Sequence, residues 1–239
     1  MPTECGVGKY VDPLIGTGDV GYRLGAVAMG AMAPFGMMKV QPDTSDTFYG
    51  KSPVAHCTGY WYPDNAIDGF PHTHLHGTGA PGYGDILVTA VVGMNDERTV
   101  TEAYRSKFDH ATEVARAGYY KVSLATWGVD VELTATMRAA LHRYHFPASA
   151  ISTVLVDASY SLPGCGCEVA EVHVDPQEMA VYGYKKAIGG MSGRFGGHTV
   201  YFWGKLRRDF SSFGTFEAGQ LHPEQQEQKG ATADRKSVV

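Results

Sequence analysis

From Asp85 onward the apolar positions fall into short runs that suit strands better than helices. Ile86 to Val92 is a β-branched, apolar run closed by Gly84 and Gly93, the signature of a buried strand. Tyr119 to Thr126 is another, with Gly118 before it and Gly128 after it. In the stretch Val129 to Met137, Val129, Val131, Leu133 and Ala135 take every second position and so line one face. Leu141 to Phe146, Ser152 to Val156, Glu171 to Val174, Met179 to Lys186 and His198 to Phe202 extend the series. Turn signals recur at roughly 8–12 residues, the spacing of a sandwich or barrel. Arg105 to Ala115 has room for a helical turn or two. The expected fold is all-β, an antiparallel two-sheet β-sandwich over residues 9–220 with minor helix.

The two ends of the chain read differently. Residues 1–83 are broken every few positions by Gly and Pro, which predicts loops and short strands, held by residues such as Phe35, Met37 and Val40. His222 to Val239 is rich in Gln, Glu and Lys and has no core residues before the last two, so residues 221–239 are expected to be a disordered tail. The last six residues, Asp234 to Val239, resemble a translated sequencing adapter running into a stop, so the tail is expected to be a truncation artefact.

Composition narrows the function. The 239 residues are 44% hydrophobic and 19% charged, which is globular and not disordered. A net charge of −5 leaves the surface unprepared for nucleic acid. No apolar run approaches a membrane span, and Met1 to Gly8 carries no secretory pattern. Cys165 and Cys167 are too close for zinc-finger spacing and badly placed for a disulfide, so the four cysteines read as free thiols in loops, with a vicinal redox pair or metal site as the rival.

The densest polar cluster runs from Gly59 to Asp85. In it His72, His74 and His76 alternate, so on an extended segment they share one face and can meet sugar hydroxyls or a metal. Gly77, Thr78 and Gly79 follow, a turn that lets backbone approach a ligand. Tyr60, Trp61 and Tyr62 lie beside Pro63 and Asp64, which suits a sugar-stacking platform or a filled core equally. A cupin-like metal site at His72, His74 and His76 is the alternative chemistry, although no Glu between Cys5 and Asp96 completes the usual set. Asp12 to Gly18 lacks a nucleotide-binding glycine pattern, and no Gly-x-Ser-x-Gly occurs. Arg138, His142, Arg143 and His145 read as decoration of a sheet surface more than as catalysts.

Several stretches, in order, resemble glycoside hydrolase family 92. They are Tyr10 to Gly18; Gly30 and Ala31; Pro34 to Met37; Pro42 to Thr44; Gly69 to Gly79 with Tyr83 to Leu87; Glu113 with Gly118 to Tyr120; Glu132 to Thr136; Leu141 to Tyr144 with Phe146 and Pro147; and Val200 to Phe202 with Phe210. The chain departs from the family at Pro71 and His76, where Ser is usual, at Asp19 to Leu24, and at Ala28 and Met29.

The resemblance implies a galactose-mutarotase-like supersandwich that forms the N-terminal domain of an exo-acting, inverting, calcium-dependent α-mannosidase. The partners would be a mannose-containing glycan and a C-terminal (α/α)6 barrel absent from this chain. Inversion needs an acid and a base about 6.5–9.5 Å apart. The resemblance places both in the barrel, so no catalytic residue is expected here. Calcium is expected mainly on the barrel, with no metal or cofactor on this fragment. The sandwich would line the substrate pocket, with Gly18, Tyr62, His72, His74, His76, Thr78 and Gly79 as substrate-binding candidates. A stand-alone carbohydrate-binding sandwich is the other reading. The family resemblance also suggests a secreted or periplasmic protein.

Overall fold

The computed structural model describes residues 6–18, 26–33, 35–46, 53–148, 151–230 and 235–238. Cys5, the Asp19 to Leu24 segment and Pro34 of the Pro34 to Met37 motif lie outside these residues.

The first half carries short strands and one hairpin series. In chain order these are β1 (Ala31–Met32), β2 (Lys39–Val40), β3 (Asp43–Ser45), β4 (Ala66–Gly69), β5 (Leu87–Val92), β6 (Ser106–Lys107), β7 (Val114–Arg116), β8 (Tyr119–Leu124), β9 (Val129–Ala135) and β10 (Ala140–His145). The second half adds β11 (Ser152–Asp157), β12 (Cys165–Asp175), β13 (Ala180–Gly189), β14 (Gly193–Lys205), β15 (Gly214–Glu217), β16 (Gln220–Pro223), β17 (Glu227–Gly230) and β18 (Arg235–Val238). Among the described residues, helix is limited to α1 (Thr101–Tyr104) and short 3-10 turns. The helical turns expected between Arg105 and Ala115 reduce to one 3-10 turn, His110–Thr112, capped by the Asp109 side chain. Strand β6 takes up part of that stretch.

The strands pair antiparallel throughout. A five-stranded sheet in the order β16-β15-β18-β11-β5 packs on a four-stranded sheet in the order β14-β13-β12-β17. Alternation explains the packing: Val154 and Val156 of β11 and Val88 of β5 meet Ala170, Val172 and Val174 of β12, Val181 of β13, and Val200 and Phe202 of β14. On the far side of the five-stranded sheet, Leu87, Val91, Leu155 and Phe216 pack with Tyr104 and Tyr160. A third core joins Tyr120, Val122, Val129, Val131 and Leu133 of the β10-β9-β8-β7 sheet to Met29, Ala31, Val40, Tyr60, Ile67 and Phe70. The all-β sandwich expected from the sequence is the fold observed.

Three local expectations are corrected. Val40 is in the core, but Phe35 is fully solvent-exposed with φ +61°, and Met37 is largely exposed; neither pins the N-terminal region. The tail is not disordered over its described residues: β17 pairs with β12, and β18 inserts between β11 and β15. Backbone pairing, which the polar composition does not forbid, holds these strands. Cys165 and Cys167 lie on β12 and Cys57 is buried in a turn, so of these three only Cys57 matches the expected loop setting.

Candidate functional site

The 72–80 segment has no regular strand; a single bridge joins His74 to Tyr83. The three histidines therefore do not form the expected row on one face. They reach partners on different segments.

His74 is buried and acts as an anchor. Its Nδ1 donates to the Lys39 carbonyl at 2.7 Å, and its Nε2 faces Asp43 Oδ1 at 2.9 Å. The other Asp43 oxygen accepts from the Tyr160 hydroxyl at 2.8 Å. This buried carboxylate sits against Gly59, which has φ +88°; a Cβ there would fall 1.8 Å from Asp43 Oδ1. Only glycine meets both the backbone and the space requirement. Next to the anchor, Thr73 donates to Asp85 at 2.8 Å.

His72 joins a relay of neutral donors and acceptors. The Tyr144 hydroxyl donates to His142 Nδ1 at 2.9 Å, His142 Nε2 meets His72 Nε2 at 3.0 Å, and His72 Nδ1 donates to the Ile86 carbonyl at 2.6 Å. Burial pushes His72 down to about 4 and holds His142 well below its ordinary value; repulsion from His72 adds to the shift on His142, and that from His74 to the shift on His72. His142, read from sequence as sheet decoration, instead faces inward.

Beyond these anchors the segment surfaces. His76, Gly77, Thr78 and Gly79 are exposed. His76 Nδ1 accepts the Ala28 N–H at 3.2 Å, the Gly77 N–H donates to the Ala26 carbonyl at 2.6 Å, and the Thr78 hydroxyl donates to the Ala80 carbonyl at 2.9 Å. Ala26 and Ala28 flank Val27, whose side chain is against Gly16; a Cβ on Gly16 would lie 2.8 Å from it. Two residues on, Gly18 abuts Pro63 and Tyr62, with 2.9 Å and 3.1 Å left for a Cβ. The Tyr62 N–H donates to the Thr17 carbonyl at 3.1 Å. These contacts link Gly18 and Tyr62, through Thr17, Gly16 and residues 26–28, to His76 and Gly77, with Thr78 and Gly79 next in the chain, while His72 and His74 are held by other partners.

Tyr60 and Tyr62 divide the two roles the sequence left open. Tyr60 is fully buried and donates to Glu113, as does Tyr120 at 2.7 Å. Burial, reinforced by that carboxylate, holds both phenols far above their ordinary values. Tyr62 is 41% exposed and stacks on His110, with centroids 4.1 Å apart and planes 15° from parallel. His110 is fixed between Glu113 at 2.6 Å and the Tyr62 carbonyl at 2.7 Å. Sequence reading missed His110; its signal was the Asp109 cap that turns the chain there.

The imidazoles of the 72–76 row are engaged separately, so the geometry does not assemble the cupin-like set. Among the described residues, Glu171, His173 and Glu227 bring possible metal-ligand atoms within 4.8 Å of one another. Lys229 Nζ already sits 2.6 Å from Glu171, and His173 Nε2 is 2.6 Å from that same carboxylate. This set offers few free oxygens and does not fit calcium, which prefers six to eight oxygen ligands.

Comparison with known proteins gives one picture. Residues 10–237 match the Glycosyl hydrolase family 92 N-terminal domain. An uncharacterized secreted glycosidase of Arthroderma benhamiae is 31% identical over 152 residues, which is 60% of this chain and 18% of that protein. A family GH92 α-mannosidase from Bacteroides thetaiotaomicron, solved with mannoimidazole, superimposes with a TM-score of 0.79 at 26% identity over 97% of this chain. A GH92 inverting mannosidase from the same species, at 22% identity, shares the fold with a TM-score of 0.77. This chain spans 31% and 28% of those two structures. No helix among the described residues is long and apolar enough to cross a membrane.

Proposed function

This chain belongs to glycosyl hydrolase family 92, as its N-terminal domain, and on that footing we propose that it is the carbohydrate-binding part of an exo-acting, inverting, calcium-dependent α-mannosidase. Its role is to line the substrate pocket with the rim that runs from Gly18 and Tyr62 to His76, Thr78 and Gly79. The acid and base of inversion, and calcium, belong to the rest of such an enzyme.

The observation that supports this reading is the division of labour around His74. Buried hydrogen bonds from His74 to Lys39 and Asp43 hold a loop in which His76, Gly77, Thr78 and Gly79 are exposed and polar or backbone-only. Tyr62 offers a ring face supported from behind by His110. A rigid stacking ring beside exposed amides and an imidazole is the chemistry a pyranose needs: C–H faces against the ring, hydroxyls against the polar groups. An exo-acting pocket closed by a second domain needs only one such wall from this side.

A nuclear magnetic resonance titration of the chain with methyl α-mannoside tests the proposal. Weak, saturable shifts at Tyr62, His76, Gly77, Thr78 and Gly79 are expected. Shifts that avoid this rim, or none at all, overturn it. The chain alone is expected to release no mannose from mannosides in the presence of calcium. Turnover by the purified chain would show that the acid and base lie within it.

A further inference from the structure

The outer face of the β14-β13-β12-β17 sheet carries a group of aromatic rings that the rim does not use. The inner face of this sheet carries Val172, Val174, Val181, Val200 and Phe202. Alternation therefore turns Tyr182, Tyr184, Tyr201 and Trp203 outward, and the register puts Tyr182 opposite Trp203 and Tyr184 opposite Tyr201. Trp203 is 63% exposed and Tyr201 is 77% exposed. Tyr184 and Tyr201 touch with centroids 5.7 Å apart, and His173 stacks flat on Tyr182 at 4.9 Å and 6°. Along each strand the two rings are two residues apart, about 6.6 Å, so the four cover roughly the length of two sugar units.

Hydrogen-bonding groups border the rings. Across β12 and β17, Glu171 lies opposite Tyr184, His173 opposite Tyr182, Lys229 opposite Glu171 and Glu227 opposite His173. At the end of the Tyr182 row a cleft of about 290 Å³ is lined by polar groups of His173, Asp175, Gln177, Gln226 and Glu227, with Tyr182 as one wall. That volume admits a single pyranose.

We propose that this sheet face is a second carbohydrate surface, separate from the pocket rim, that binds neutral pyranose sugars over the paired rings Trp203–Tyr182 and Tyr201–Tyr184 and seats one unit in the cleft beside His173. It rests on the glycan-binding reading above for its ligand class. A neutral polyol fits better than a protein surface. Docking a protein here would strip water from the Glu171–Lys229, Glu168–Lys186 and Glu178–Lys205 pairs. Sugar hydroxyls can donate to those carboxylates while the ion pairs stay intact. A second attachment point would raise the local concentration of glycan ends at the pocket.

Native affinity electrophoresis of the chain in gels containing soluble α-mannan tests the inference, with circular dichroism to confirm folding. Retardation of the parent chain is expected, with Trp203→Ala and Tyr201→Ala each weakening apparent affinity at least tenfold and Trp203→Phe retaining most of it. Equal retardation of the parent and Trp203→Ala, or no retardation of the parent, overturns the proposal. Loss confined to Tyr62→Ala also overturns it and leaves the rim reading standing. Trp203-dependent retardation without rim shifts in the titration supports this surface and sinks the rim. A Trp203-dependent dimer by light scattering, with no effect of mannan, assigns the face to a second copy and overturns the sugar reading.

Discussion

The Nε2 atoms of His72 and His142 lie 3.0 Å apart inside the domain, joining the loop that carries the rim to strand β10. With Ile86 accepting from His72 and Tyr144 donating to His142, each ring nitrogen has one partner, provided that both imidazoles are neutral. A proton added to His72 Nε2 puts two donors face to face, and one added to His142 Nδ1 forces the Tyr144 hydroxyl to turn from donor to acceptor.

Stability should therefore fall as pH drops. His72 titrates near 4 in the folded chain and near 6.5 when unfolded, and His142 is shifted the same way. Between these values the unfolded chain binds more protons, so folding stability is complete above about pH 6.5 and is lost toward pH 4, by roughly 2–3 kcal/mol for His72. His198, raised by its hydrogen bond to Asp85, works in the opposite direction but is a single group. Urea midpoints measured from pH 7 to pH 4.5 should decline steadily; a flat profile contradicts the relay.

Lys185 is a second point of high sensitivity. It is fully buried on β13, with Nζ 2.9 Å from Asp85 and donating to the Tyr160 carbonyl. Burial alone would raise the Asp85 carboxyl, but hydrogen bonds and attraction from His198, Lys185 and Thr73 hold it at about 2. Lys185→Met leaves that carboxylate without its buried cation. The loss should be about 3–5 kcal/mol in urea denaturation, and adding Asp85→Asn should recover part of it. Additive losses in the double variant would show that the pair is not coupled.

The parts of the fold that were legible in sequence are those where burial imposes a period. Strands β5, β8, β9, β10 and β11 were placed within a residue or two because one or both faces are apolar. Strands β17 and β18 escaped because Gln, Glu and Lys at a sheet position carry no hydrophobic signal; only their backbone partners reveal them. Phe35 and Met37 misled for the opposite reason, since an apolar residue is not bound to face inward. At the site, the segment holding His74 was legible, but the strand geometry assumed for His72, His74 and His76 was not. Asp43 and His142, which position it, are 31 and 70 residues away in sequence.

Phe35, Met37, Met137 and Leu141 carry the next prediction. All four are more than half exposed, and the Met37 N–H donates to the Met137 carbonyl at 3.0 Å, which brings the segments of Phe35 and Met37 and of Met137 and Leu141 together. Large apolar side chains exposed on neighbouring segments favour association. The chain should self-associate at high micromolar concentration, and Phe35→Glu with Met37→Glu should return it to a monomer by light scattering. A parent chain that stays monomeric at every concentration contradicts this.

His74 and His76 should separate holding the rim from using it. His74 is buried, and His74→Ala removes both of its hydrogen bonds and leaves an Asp43 oxygen facing a cavity. The cost should be about 2–4 kcal/mol, visible as a lower Tm. His76 is exposed and its one hydrogen bond is long, 3.2 Å to the Ala28 amide. Replacing it with Ala should change stability by less than about 1 kcal/mol. The same substitution should diminish the shifts that methyl α-mannoside causes at Thr78 and Gly79. An unchanged Tm for His74→Ala would mean that the loop is held by other contacts. Unchanged sugar shifts for His76→Ala would remove that imidazole from the pocket wall.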